Sequence, residues 1–208
     1  MKNAIAWLMV MLGTSACDQR PDADRSGAVD RPVTSGVAPS PQHVDSAIPI
    51  DEALRRFRRD LPAERTLQGG FGSREMLVRE FVRALEVRDT AALRRMVLKA
   101  GEFAWLYYPS SPISRPPYEL APALMWFQLQ GESERGASRL FSERGGDALG
   151  YIGHTCASPR VEGKNLIHSG CELRRVTAAR DTIAERLFGL IIEQDGRYKF
   201  VSYANRLD

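Results

Sequence analysis

The chain has 208 residues, with 29 Lys and Arg against 26 Asp and Glu, for a formal net charge of +3. A balance this close carries no electrostatic footprint for nucleic acid, and no nucleic-acid partner is expected. The stretch from about residue 50 onward has the size of one ordinary domain.

At the N-terminus, Lys2 precedes an unbroken apolar run from Ala4 to Leu12. A bilayer-spanning helix needs about 20 apolar residues, so this run is too short to span and suits the apolar region of a secretory signal. Gly13, Thr14, Ser15 and Ala16 then lead directly into Cys17. The arrangement resembles the bacterial lipobox, with Thr14 where that motif usually has Leu. The resemblance implies that residues 1–16 are a lipoprotein signal peptide and that the Cys17 thiol is acylated, with palmitate-like chains, before becoming the mature N-terminus. A plain secretory signal with an ordinary Cys17 is the alternative. Asp18 is similar to an inner-membrane retention signal of some bacteria, and both membranes stay open.

Residues 17–49 read as a flexible membrane tether. Asp18 to Pro49 holds five prolines, no aromatic residue and no lasting apolar period. Such a segment buries too little apolar surface to offset its ordering entropy. The implied location is the bacterial cell envelope, lipid-anchored, with the domain facing the periplasm or the exterior.

Residues 50–72 form a basic helix and a Gly-rich hinge. In "LRRFRRDLP", Arg55, Arg56, Arg58 and Arg59 surround Leu54 and Phe57. This is either a solvated basic helix face or a contact with anionic headgroups. "GGFGS" (Gly69 to Ser73) lacks the Gly-Lys-Ser/Thr ending of a phosphate loop and reads as a hinge.

The remaining residues, 73–208, are expected to form one α+β domain. Leu77, Val78, Phe81, Val82 and Leu85 recur at one-sided helical spacing behind Ser73 as N-cap. Asp89 caps a second short helix carrying Leu93, Met96 and Val97. Phe103, Trp105 and Tyr107 then alternate with Ala104, Leu106 and Tyr108, which predicts a strand running into a Pro/Ser loop. A helix with Leu120, Leu124 and Phe127 on one face follows, Pro122 sitting in its first turn. A further short helix near Ser133 to Arg144 ends at Gly145-Gly146.

The last sixty or so residues are strand-rich. In "YIGHTCASPRVEGKNLIHSGCELRRV", a hairpin centred on Gly163-Lys164 sets Cys156 opposite Cys171. With Cys17 acylated, these two remain as one pair in an oxidising compartment, and a disulfide is expected. His154 and His168 flank the pair, so zinc ligation by two His and two Cys is the alternative. In "LFGLIIEQDGRYKFVSYAN", Asp195-Gly196 suits a type I′ turn that pairs Ile191 with Phe200 and Leu190 with Val201. Both faces of this hairpin are apolar, one to be covered by helices and the other by a second subunit, as in a homodimer.

The order of helices followed by antiparallel strands is α+β, with N-terminal helices packed on a curved, cone-like sheet. "REFVRALEVRDTAALRRMV" and "IIEQDGRYKFVSYAN" resemble the opening helices and closing hairpin of the superfamily of nuclear transport factor two, ketosteroid isomerase and SnoaL-like polyketide cyclases. That resemblance implies a pocket between helices and sheet, used by some members for acid–base chemistry on carbon acids and by others for binding or assembly. Trp105, Tyr107, Tyr108, Trp126 and His154 are the candidate pocket residues, with core packing as the alternative for the aromatic ones. Glu102 and Asp147 are the available carboxylates for an isomerase-like base, both in loop-like contexts. No Gly-x-Ser-x-Gly, His-Glu-x-x-His or Gly-x-Gly-x-x-Gly occurs, and His43, one of three histidines, lies in the tether. No cofactor and no metal is expected. The reading is a non-catalytic domain that binds a small apolar ligand or an envelope protein, with an isomerase- or cyclase-type enzyme as the alternative.

Overall fold

The computed structural model describes residues 48–205, so the signal peptide, Cys17 and nearly all of the tether lie outside the described residues. Five α-helices and seven strands make an α+β fold: α1 (Ile50–Arg58), α2 (Arg74–Glu86), α3 (Thr90–Met96), α4 (Ala100–Glu102) and α5 (Pro122–Arg144) precede β1 (Tyr151–Thr155), β2 (Arg160–Glu162), β3 (Asn165–His168), β4 (Glu172–Val176), β5 (Thr182–Glu185), β6 (Ile191–Gln194) and β7 (Arg197–Phe200). The strands are antiparallel, in a three-stranded sheet ordered β1-β4-β5 and a four-stranded sheet ordered β2-β3-β6-β7. Among the described residues, no helix is long and apolar enough to cross a membrane.

The caps read from sequence start the helices where expected. Ser73 Oγ accepts from the Met76 N–H at 3.1 Å, and Asp89 Oδ1 accepts from the Ala92 N–H at 2.8 Å. Leu77, Val78, Phe81, Val82 and Leu85 form the buried stripe of α2. Phe81 packs edge-on against Phe188 and Phe200, with ring centroids 5.3 and 5.4 Å away. The closing hairpin turns at Asp195 and Gly196, whose φ values of +50° and +71° are the positive pair that a type I′ turn needs. Its register pairs Ile191 with Phe200, and the Val201 N–H donates to the Leu190 carbonyl.

Alternate residues of a strand face opposite sides of a sheet. Ile191 and Phe200 accordingly join the core under α2 and α3, while Ile192 and Val201 join a second core with Phe103, Tyr107 and Tyr108. The second apolar face of the hairpin is therefore filled by this chain's own aromatic block.

The two sheets share one bent hairpin. β1 with β4 and β2 with β3 keep the same register, from Thr155 opposite Glu172 to Arg160 opposite Ile167. The ladder breaks at the bend between these pairs, where the Ala157 N–H still donates to the Ser169 carbonyl. A disulfide joins Cys156 to Cys171 at this bend. The cysteines are thus consumed by each other, which removes the thiolates that zinc ligation requires.

Two expected elements differ. Phe103–Tyr108 is not a strand: α4 runs into a π-helical turn at Phe103–Tyr107 and a 3₁₀ turn at Tyr108–Ser110. Phe103, Ala104, Tyr107 and Tyr108 are buried while Trp105 and Leu106 are not, a helical pattern. The alternation lay in residue type and not in burial.

The second difference is α5, one helix of 23 residues where two were expected. Its inward face carries Pro122, Met125, Gly136 and Leu140, whereas Leu124 and Phe127 are exposed. Gly136 is required by close approach, because a Cβ there would lie 1.8 Å from the Tyr203 carbonyl oxygen. Asn205 Nδ2 reaches back to the Gly136 carbonyl at 2.9 Å and fastens the C-terminal segment to α5.

Candidate functional site

α5 and α3 do not close on each other. A cleft of about 540 Å³ lies between them, within the usual range for small-molecule sites. Buried Leu98, Val201 and Tyr203 form its floor. Leu93 and Val97 line the α3 side, and Trp126, Leu129, Ala137 and Phe141 line the α5 side. The exposed polar groups form the rim: Arg94 and Lys99 on the α3 side, and Gln130, Glu134 and Ser138 on the α5 side. Tyr203 is held by its own hydroxyl, which donates to the Leu93 carbonyl at 2.8 Å, and by its N–H, which donates to Ser133 Oγ at 3.2 Å. These bonds tie the floor to both walls.

The five candidate pocket residues are dispersed, and only Trp126 lines this cleft. Its ring packs on Phe103, centroid to centroid 5.1 Å. Trp105 lies 37% exposed at the surface, under the Arg58 guanidinium at 3.9 Å from the ring centroid. Arg58 also donates to the Ala104 carbonyl, so Trp105 serves as a seat for α1. The apolar side of α1, Ile50, Leu54 and Phe57, packs on the second core. Tyr107 and Tyr108 are core residues: the Tyr108 hydroxyl donates to the Leu120 carbonyl, and burial pushes the Tyr107 hydroxyl up to about 12.

His154 belongs to a different constellation, one that joins α2 to both sheets. Arg74 Nε donates to His154 Nε2 at 3.1 Å, and Arg74 Nη1 reaches His168 Nδ1 at 3.0 Å. A guanidinium only donates, so both of these ring nitrogens are acceptors. The remaining proton of each ring then points the other way. His168 Nε2 meets Glu193 Oε2 at 2.9 Å, and His154 Nδ1 meets the Tyr151 hydroxyl at 2.9 Å and Glu75 Oε2 at 3.3 Å. Both side chains are buried, 4% and 7% exposed. Burial first, and then the Arg74 charge, lower the His154 pKa from its usual value. With every ring nitrogen engaged, this cluster braces the fold and offers no free base. Among the described residues, no group of three or more His, Cys, Asp or Glu is placed to hold a metal.

The two carboxylates proposed as bases are also placed. Asp147 is exposed and does not line the cleft. Glu102 is fully buried, but its oxygens accept from the Gln68 N–H, the Lys99 N–H and Lys199 Nζ. A carboxylate so occupied is a structural anion.

No family model, no curated protein and no solved structure matches the chain. The cleft residues missed in sequence include Arg94, Lys99, Glu134, Ala137 and Phe141. Reading α5 as one helix would have exposed the signal, since Trp126, Leu129, Ser133, Ala137 and Phe141 recur at helical spacing along one stripe.

Proposed function

We propose that the chain is a lipid-anchored protein of the bacterial envelope whose α+β domain holds a small apolar ligand in the α3–α5 cleft and performs no chemistry on it. The observation that carries the binding reading is the cleft, with its buried apolar floor and an exposed polar rim. An isomerase-like reaction needs a carboxylate base facing the ligand. Glu102 is committed to Lys199, Asp147 lies off the cleft, and Glu134, the carboxylate that does line it, is solvent-exposed and not set in an apolar surround, which favours binding over turnover.

The envelope location is supported by the apolar run Ala4–Leu12, followed by small residues that lead into Cys17, and by a disulfide, which suits an oxidising compartment. Kinship with the nuclear transport factor two-like superfamily stays part of the proposal, supported by the opening pair α2–α3 and the closing hairpin β6–β7. The test is native purification from membranes, with bound small molecules identified by mass spectrometry. Wild type is expected to carry a ligand that is absent from Ala137→Trp, whose new ring fills the cleft. Fatty-acid labelling lost in Cys17→Ala tests the anchor; labelling that persists in that variant overturns it.

A further inference from the structure

The cleft has a direction as well as a volume. Its α5 lining runs from Trp126 to Phe141, a path of about 22 Å at 1.5 Å per residue. An apolar floor flanked by that length of helix suits an extended tail better than a compact polar molecule. The rim is asymmetric in charge. Arg94 and Lys99 both rise from the α3 side and form no ion pair among the described residues, unlike Arg79 and Arg83, which hold Glu75 and Glu80. Glu134 stands on the α5 wall and pairs with neither cation.

Resting on the reading of this cleft as a ligand site, we propose that its occupant is an amphipathic anion. Its acyl tail lies on the Leu98, Val201 and Tyr203 floor, and its carboxylate or phosphate head lies against Arg94 and Lys99. The two cations on one wall attract the head, and Glu134 on the other wall repels it, so polarity sets the ligand's orientation. The floor supplies the greater part of the affinity, because apolar burial scales with tail length. The head supplies the choice among molecules with equal tails.

The experiment uses the full-length chain carrying Cys17→Ser, which has no acyl chain of its own, purified without detergent. Three probes of equal chain length are titrated at neutral pH: a fatty acid, an alkyl phosphate and the fatty alcohol. Both anions are expected to bind about tenfold more tightly than the alcohol, the factor supplied by one ordinary charge-assisted contact. Whichever anion binds more tightly identifies the head group. Arg94→Gln with Lys99→Gln is expected to bring both anions down to the affinity of the alcohol, and Glu134→Gln to widen the margin between anions and alcohol; a preference that survives the double variant overturns the charge inference. An alcohol that binds as tightly as the anions overturns the charge inference and leaves the cleft as a ligand site. Failure of all three probes to bind, or binding unchanged by Ala137→Trp, overturns both readings.

Discussion

Glu102 and Lys199 form an ion pair with no exposure to solvent, Nζ lying 2.7 and 3.0 Å from the two carboxylate oxygens. The pair joins α4 to β7, and the Gln68 carbonyl takes a further Nζ–H at 3.2 Å. Every charge is thus matched where the dielectric is low. Lys199→Met leaves Glu102 buried with only its two backbone donors, and removal of one partner of such a pair typically costs about 3–5 kcal/mol. A large fall in melting temperature is expected, with partial recovery in Glu102→Gln/Lys199→Met, which no longer buries a charge. A double variant no more stable than Lys199→Met contradicts this account.

That pair also explains where sequence reading stopped. The hairpin at Asp195-Gly196, the caps at Ser73 and Asp89 and the pairing of Cys156 with Cys171 were legible because local chemistry decides them. The block from Phe103 to Tyr108 was not, because its alternation in residue type is strand-like while its burial is set by distant partners such as Ile167, Ile192 and Val201. The continuity of α5 was hidden for a related reason. Gly131 in a helix costs only about 1 kcal/mol, and packing from Met125 to Leu140 outweighs it. The cleft depends on α5 facing α3, and the histidine cluster depends on Arg74. Both are tertiary contacts without a local signature.

The disulfide closes a loop of 15 residues at the bend between the two sheets. In the chain-entropy model such a loop contributes about 3 kcal/mol. Cys156→Ala/Cys171→Ala is therefore expected to lose about that much in denaturant unfolding, and reduction of the wild type is expected to match it. Non-reducing peptide mapping that finds two free thiols would sink the assignment.

The histidine cluster makes stability depend on pH. His154 has a lowered pKa in the fold, so the unfolded chain takes up its proton first. Stability is then complete above the unfolded value of about 6.5 and declines as the pH falls from there towards the lower folded value. The groups facing this ring are Arg74, Glu75 and Arg79 from α2 and Tyr151 from β1. In His154→Gln the side-chain oxygen can still accept from Arg74 but does not titrate. Melts from roughly pH 7 to pH 5 are expected to fall more steeply for wild type than for this variant. Parallel curves would show that His154 does not carry the effect.

The two tryptophans of the described domain separate surface from site. Trp105 is partly exposed and its main partner is the Arg58 guanidinium, an arrangement worth about 0.5–1 kcal/mol at exposed positions. Trp105→Ala is expected to cost little more than that, far below the ~3–5 kcal/mol of a core tryptophan. Trp126 packs on Phe103 and lines the cleft, so its loss removes both packing and ligand contact. Fluorescence distinguishes the two without relying on stability. Titration of a fatty acid is expected to change the emission of wild type and of Trp105→Phe, and to leave that of Trp126→Phe unchanged. A response that vanishes in Trp105→Phe instead would move the ligand to the groove beside α1, where Arg55, Arg58 and Arg59 surround that ring.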